Sequence, residues 1–198
     1  MDIILSKERV DVQECDVLAI GFFKDERPLK GSSGWIDWRL NGKISRLLLE
    51  KKLTGDWKEA TLIPTQGRVV PRLALLLGLG ELKEYNTLRL RELSLHLLEI
   101  LKKLEAVNIC LSFPYEESCH VGCGKLAEIL IRGMADCINL NGYAFDGEWI
   151  KKLRIYFAEG EEHLSEVLSG VQTAKSVLRK RIPIRILTPS HTTGWKES

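Results

Sequence analysis

The residues best suited to chemistry are Gly31-Ser32-Ser33-Gly34, inside the stretch LKGSSGWIDWRLNGKI. Glycines let the backbone turn toward a ligand, and the free N–H groups at a helix start attract anions. The segment lies between the apolar run Val17–Phe23 and a helical pattern from Ile36 onward. It reads either as a phosphate cradle or, more plainly, as a solvent loop whose serine caps the helix. Asp37 follows within reach of the same turn. Gly122 and Gly124, in Gly122-Cys123-Gly124-Lys125, open a second helical pattern and form the other candidate anion turn. These seven residues are the candidate ligand-binding set, and a ligand there implies one cleft bordered by both turns. A cleft plugged by Trp35, Phe22 or Phe23 would favour protein contacts instead.

Other motifs fall short on spacing. The Gly122 tetrad ends like a Walker loop, but Cys119 stands where the first glycine is required and Leu126 where Ser or Thr is. Gly78-Leu79-Gly80 follows a strand, yet Lys83 occupies the third position of a dinucleotide fingerprint. Cys119, His120 and Cys123, with Cys110 upstream, offer zinc donors. Cys-His-x-x-Cys is not a standard pairing, and no second Cys-x-x-Cys completes four ligands, so no metal site and no cofactor are expected. His96 lies on a leucine-rich helix face as a core or edge histidine. His163 and His191 lie in polar surroundings without evident partners. No Ser-His-Asp or Cys-His set emerges, and no catalytic residue is assigned. Trp35 and Trp38 are candidate interface residues, or else pack the early loop onto a sheet. Arg179, Lys180, Arg181 and Arg185 read as a solvated helix end, so nucleic acid is not an expected partner.

The elements that position these residues alternate along the chain. Strand-like runs occupy Ile3–Leu5, Val17–Phe23, Ala60–Pro64, Arg72–Gly78, Val107–Phe113, Ile155–Ala158 and Ile182–Thr188. Helical spacing marks Ile36–Leu48, weakened at Asn41-Gly42, then Thr87–Leu104, Gly124–Leu140 and Leu164–Arg179. Strands separated by helices imply parallel pairing, hence a three-layer αβα sandwich on a mostly parallel mixed sheet. Residues 1–188 read as one domain and 189–198 as a polar tail. Within 198 residues, 44% hydrophobic and 28% charged, a sizeable core is affordable, and a net charge of +2 gives no pull toward nucleic acid or anionic membrane. No apolar run approaches a membrane span, and MDIILSKERV lacks the features of a secretory signal. Five cysteines without such a signal suit a reducing, cytoplasmic compartment.

Three stretches carry a resemblance: DVLAIGFFKDE with WIDWRLNGKISRLL, LALLLGLGELKEYNTLRLREL, and ILIRGMADCINLNGYAFDGEW. In this order, from about Asp16 to Lys180, they resemble the N-terminal domain of the leucyl (cytosol) aminopeptidase family, a macro-domain-like module. Gly133, Tyr143, Phe145 and Asp146 match that domain's glycine, tyrosine and Phe-Asp pattern. The family's catalytic signature, Asn-Thr-Asp-Ala-Glu-Gly-Arg, belongs to a second domain and occurs nowhere in these residues. The segment RIPIRILTPSHTTGWKES cannot build a second core, so the resemblance implies no peptidase chemistry here. It implies instead a non-catalytic, stand-alone binding or oligomer-assembly module, self-associating or partnering a full-length aminopeptidase. The alternative is macro-type binding or hydrolysis of ADP-ribose or a related nucleotide. Related macro domains bind nucleotide with a strand, an asparagine-containing loop, a glycine run and a helix. Here Phe22, Phe23, Lys24, Asp25 and Glu26 stand at the asparagine-containing turn, and the two acids would repel a diphosphate.

Overall fold

The computed structural model describes residues 1–115, 121–140, 147–178, 183–189 and 195–197. Tyr143, Phe145, Asp146, Cys119, His120, Arg179, Lys180, Arg181 and His191 lie outside the described residues.

Apolar runs that would be insoluble if exposed on either face become central strands. β2 (Val17–Phe22) is buried at every position, as a parallel strand covered on both sides requires. Around it lie β1 (Asp2–Leu5), β3 (Ala60–Pro64), β4 (Leu73–Gly78), β5 (Asn108–Ser112), β6 (Arg154–Phe157), β7 (Arg185–Pro189) and β8 (Trp195–Glu197). They form one sheet in the order β3-β4-β2-β5-β6-β1-β7-β8. The strands from β4 through β7 are parallel, and β3 and β8 add antiparallel edges. The helices are α1 (Gly31–Arg39), α2 (Lys43–Leu49), α3 (Thr87–Lys103), α4 (Cys123–Leu140), α5 (Gly147–Lys152) and α6 (Leu164–Leu178).

The two-residue period of β2 divides the interior. Val17 and Ala19 join Leu93, Leu97, Leu130, Met134 and Val171 of α3, α4 and α6 in the larger core. Leu18, Ile20 and Phe22 join Ile36 of α1, Leu40 just past its end and Ile44 of α2 on the opposite face. The result is the three-layer αβα sandwich that the alternation of elements implies. α3 is the clearest local case: the Asn86 side chain accepts the N–H groups of Leu88 and Arg89, and Leu90, Leu93, Leu97, Leu98 and Leu101 are its buried stripe.

Several local features sharpen or depart from the pattern of the sequence. The GSSG segment is not a loop before a helix but the first turn of α1. Ser33 is not a cap either: its hydroxyl donates to the Lys30 carbonyl at 2.8 Å. The helical run then breaks at Asn41 and Gly42, whose φ angles of 59° and 71° are left-handed, so α2 starts anew. Trp149 anchors the unforeseen α5 through an indole N–H to the Ala106 carbonyl at 3.0 Å. Residues 195–197, within the stretch read as tail, pair with β7. Of the basic residues near the C-terminus, Arg185 forks onto Asp2 with bonds of 2.9 and 2.8 Å, which ties β7 to β1.

The chain leaves β2 toward β4 on one side, whereas β5 continues to β6 on the other. The direction of winding therefore reverses between the adjacent strands β2 and β5. Beyond the carboxyl ends of such a strand pair the connections diverge and leave a crevice.

Candidate functional site

That crevice is present, as a cavity of about 230 Å³. Gly21 of β2 and Ser112 and Phe113 at the end of β5 line it, with Gly31, Ser32 and Ser33 from α1 and Tyr115 beyond β5. Gly21 is needed at this point, because a Cβ there would stand 2.6 Å from the Phe113 ring. The first helical bond of α1 runs from the Gly34 N–H to the Lys30 carbonyl at 3.1 Å. The amides of residues 31–33 precede it and have no acceptor within the helix. Ser112, 2% exposed, presents a buried hydroxyl that has no hydrogen-bond partner among the described residues. A buried hydroxyl left in this state costs about 1–3 kcal/mol.

Glu26 also lines the cavity, with its side chain only 10% exposed, and faces Lys30 Nζ at 3.3 Å. The neighbouring acid does not contribute: Asp25 Oδ1 accepts the Leu82 N–H at 2.9 Å and belongs to the β4–α3 connection. One of the two charges expected to repel an anion is thus turned elsewhere, and the other has a cation beside it.

The sequence candidates separate. Gly31, Ser32 and Ser33 come together with Ser112 at the cleft. Gly34 lies off the cleft, on the α1–α2 side, packed so that a Cβ would stand 2.3 Å from the Leu29 carbonyl oxygen. Asp37 is buried and occupied: its Oδ1 accepts the Ile44 N–H at 2.7 Å and the Ser45 N–H at 3.1 Å, and its Oδ2 accepts the Ser45 hydroxyl at 2.5 Å. It caps α2. Gly122 and Gly124 do not line the cleft. A Cβ on Gly124 would stand 2.4 Å from the Glu166 carbonyl, and one on Gly170 would stand 1.9 Å from the Gly124 carbonyl. These glycines let α4 and α6 touch. The Gly124 N–H donates to Glu166 Oε1 at 3.3 Å, so this helix start holds a carboxylate of its own chain.

Phe22 and Phe23 are buried in the two cores rather than in the cleft. Trp35 is half-buried beneath the Arg9 guanidinium, 4.6 Å from its ring, and Trp38 leans on it at 5.0 Å while remaining 67% exposed.

The surroundings of two further residues emerge only in the fold. Glu159, just past β6, keeps part of its surface in solvent, yet desolvation pushes its carboxyl up to about 7, against the pull of a hydrogen bond with Tyr115. Tyr115 therefore joins the cleft to a carboxyl that holds its proton near neutrality. Cys110, set aside in the sequence as a zinc donor, lies in the α1–α2 core, where a hydrogen bond with Cys15 and complete burial push its thiol well up. What the cleft offers is a set of donors suited to one compact anion, without a paired nucleophile and base among its described residues.

The fold and crevice define an α/β domain of the macrodomain type. Among solved structures, that of a Trypanosoma brucei macrodomain in complex with ADP-ribose is similar to this chain at a TM-score of 0.61 and 15% identity, over 89% of this chain and 68% of the other. A mutant of tomato leucine aminopeptidase is similar at a TM-score of 0.63 and 15% identity, over 90% of this chain and 37% of the other. The chain belongs to the cytosol aminopeptidase family: the family's N-terminal domain matches residues 19–120, just over half of its length. A probable cytosol aminopeptidase of Sulfurihydrogenibium sp. (strain YO3AOP1) is 23% identical over 163 residues, which cover 82% of this chain and 30% of that relative. Among the described residues, no helix is long and apolar enough to cross a membrane.

Proposed function

We propose that this chain acts as a non-catalytic binding module whose cleft between β2 and β5 takes a compact anionic group. The observation that carries this reading is one cavity lined both by residues 31–33 of α1, which precede the first helical bond, and by Ser112, whose hydroxyl has no partner among the described residues. At about 230 Å³ the cavity is below the roughly 300–1,000 Å³ of pockets that engulf drug-sized ligands, which favours one phosphate or ribose-phosphate end over a whole dinucleotide. A nucleotide such as ADP-ribose would leave its remainder outside. Hydrolysis draws less support, since Glu26 is the sole carboxylate among the described lining residues and faces Lys30. Within these residues nothing matches the peptidase signature, and a cytoplasmic site of action is in keeping with the family name.

Calorimetry with inorganic phosphate, ADP and ADP-ribose tests the reading. Binding weakened about fivefold or more by Ser112→Ala, with stability unchanged or higher, supports it. No heat with any of the three at millimolar concentration overturns it.

A second reading, assembly with another copy or with a full-length aminopeptidase, is favoured by a different observation. Trp38 and Leu49, 67% and 84% exposed, flank grooves on the α1–α2 face lined by Pro28, Leu48 and Leu53. Sedimentation of the wild type and of Trp38→Ala/Leu49→Ser separates the cases: a dimer that the double variant dissolves supports assembly through this face. A strict monomer that also fails to co-purify with any aminopeptidase removes it.

A further inference from the structure

Away from the cleft, the α4–α6 contact gathers a second set of groups. The Cys123 sulfur, a His163 ring nitrogen and a Glu166 carboxylate oxygen all lie within 4.8 Å of one another. Cys123 is the first residue of α4, His163 immediately precedes α6, and Glu166 lies in its first turn. The three are graded from core to solvent, Cys123 buried, His163 half-buried and Glu166 exposed, which leaves an ion a route in.

We propose that Cys123, His163 and Glu166 form a zinc site with three protein ligands and a fourth position for water. Thiolate and imidazole donors select zinc over calcium or magnesium, and a carboxylate completes an accepted mixed set. Tetrahedral zinc holds its donor atoms about 3.3–3.8 Å apart, so side-chain movements of about 1 Å draw these three together. The Gly124 N–H fixes one oxygen of Glu166 and leaves the other for an ion. The Tyr115 ring meets the His163 imidazole edge-on, 5.3 Å between centroids, and limits its rotation. On binding, the Cys123 thiol gives its proton to solvent. Thiolate and carboxylate then neutralise the divalent ion, so the positive end of α4 faces no net positive charge.

The sequence set zinc aside because Cys119, His120 and Cys123 do not make a standard motif. The partners Cys123 finds stand about forty positions further along, where spacing rules do not look. Tyr115 lines the cleft and also packs on His163, so the two places adjoin, and the test of the cluster reads metal rather than phosphate.

Titrating the full chain with Zn²⁺ against a chromophoric chelator, and with Co²⁺ as a spectroscopic substitute, decides the matter. One equivalent of zinc and a thiolate-to-cobalt charge-transfer band are expected. Cys123→Ser abolishes the band, and His163→Gln and Glu166→Gln each weaken zinc binding at least about tenfold. His163 and Glu166 are outside the fully buried core, so their variants report even if Cys123→Ser folds poorly. Absence of stoichiometric binding overturns the proposal. So does zinc retained at full affinity in His163→Gln and Glu166→Gln but lost in Cys119→Ser, which would assign the ion to other residues.

Discussion

Helices α1 and α4 both begin at glycine-containing turns, and both follow the carboxyl ends of parallel central strands. Their ends have opposite fates. At α1 residues 31–33 line a cavity that Ser112, with its unpartnered hydroxyl, lines as well. At α4 the glycines are filled against α6, and the Glu166 carboxylate sits on the Gly124 amide. The same local chemistry, small residues before a helix, yields a ligand cleft in one place and a helix–helix contact in the other. The difference is what the rest of the chain packs there.

The largest test of the contrast is Gly170→Ala. A methyl group placed 1.9 Å from the Gly124 carbonyl must separate α4 from α6, and a loss of about 3 kcal/mol, the upper end of ordinary overpacking, is expected in urea unfolding. By contrast Gly31→Ala meets no atom within 4 Å and pays only for its φ of +53°, about 1 kcal/mol. Equal losses at the two ends would break the comparison.

Glu159, just past β6, has its carboxyl raised to about 7 in the fold. Its folded state binds a proton that the unfolded chain releases between about pH 4.5 and 7, so stability falls as pH rises through that window. Glu159→Gln, which keeps an acceptor for Tyr115, is expected to gain about 1–3 kcal/mol at pH 8 and nothing at pH 4. Thermal melts across pH measure it, and a pH-independent difference would contradict the assignment.

The smallest expected effect is at the closed end. Glu166→Gln in metal-free protein removes an anion from the α4 terminus and costs about 0.3–1 kcal/mol. Glu26→Gln sharpens the open end instead: losing the acid beside Lys30 is expected to raise phosphate affinity about threefold in calorimetry, with little change in stability.

Much of the architecture was legible. The strand runs and the leucine stripe of α3 are local patterns, and the break at Asn41-Gly42 follows from backbone preferences. The candidate site was legible only in part. Gly31, Ser32 and Ser33 do reach the cleft, but Ser112 looks like any strand serine until its hydroxyl is found without a partner. Asp37 looked like a ligand residue because sequence cannot show that α2 restarts within reach of its carboxylate. Glu159 lies in an acidic run, and only burial beside Tyr115 separates it from Glu161 and Glu162.

The sequence by itself determined the alternation of strands and helices, the family and the two glycine-marked helix starts, because these depend on near neighbours and on hydrophobic period. Only the tertiary structure decided which start stays open, which glycines are packing contacts, and that Cys123 meets His163 and Glu166. Those outcomes depend on close approach between segments far apart in the chain, where tenths of an ångström separate a cavity from a contact.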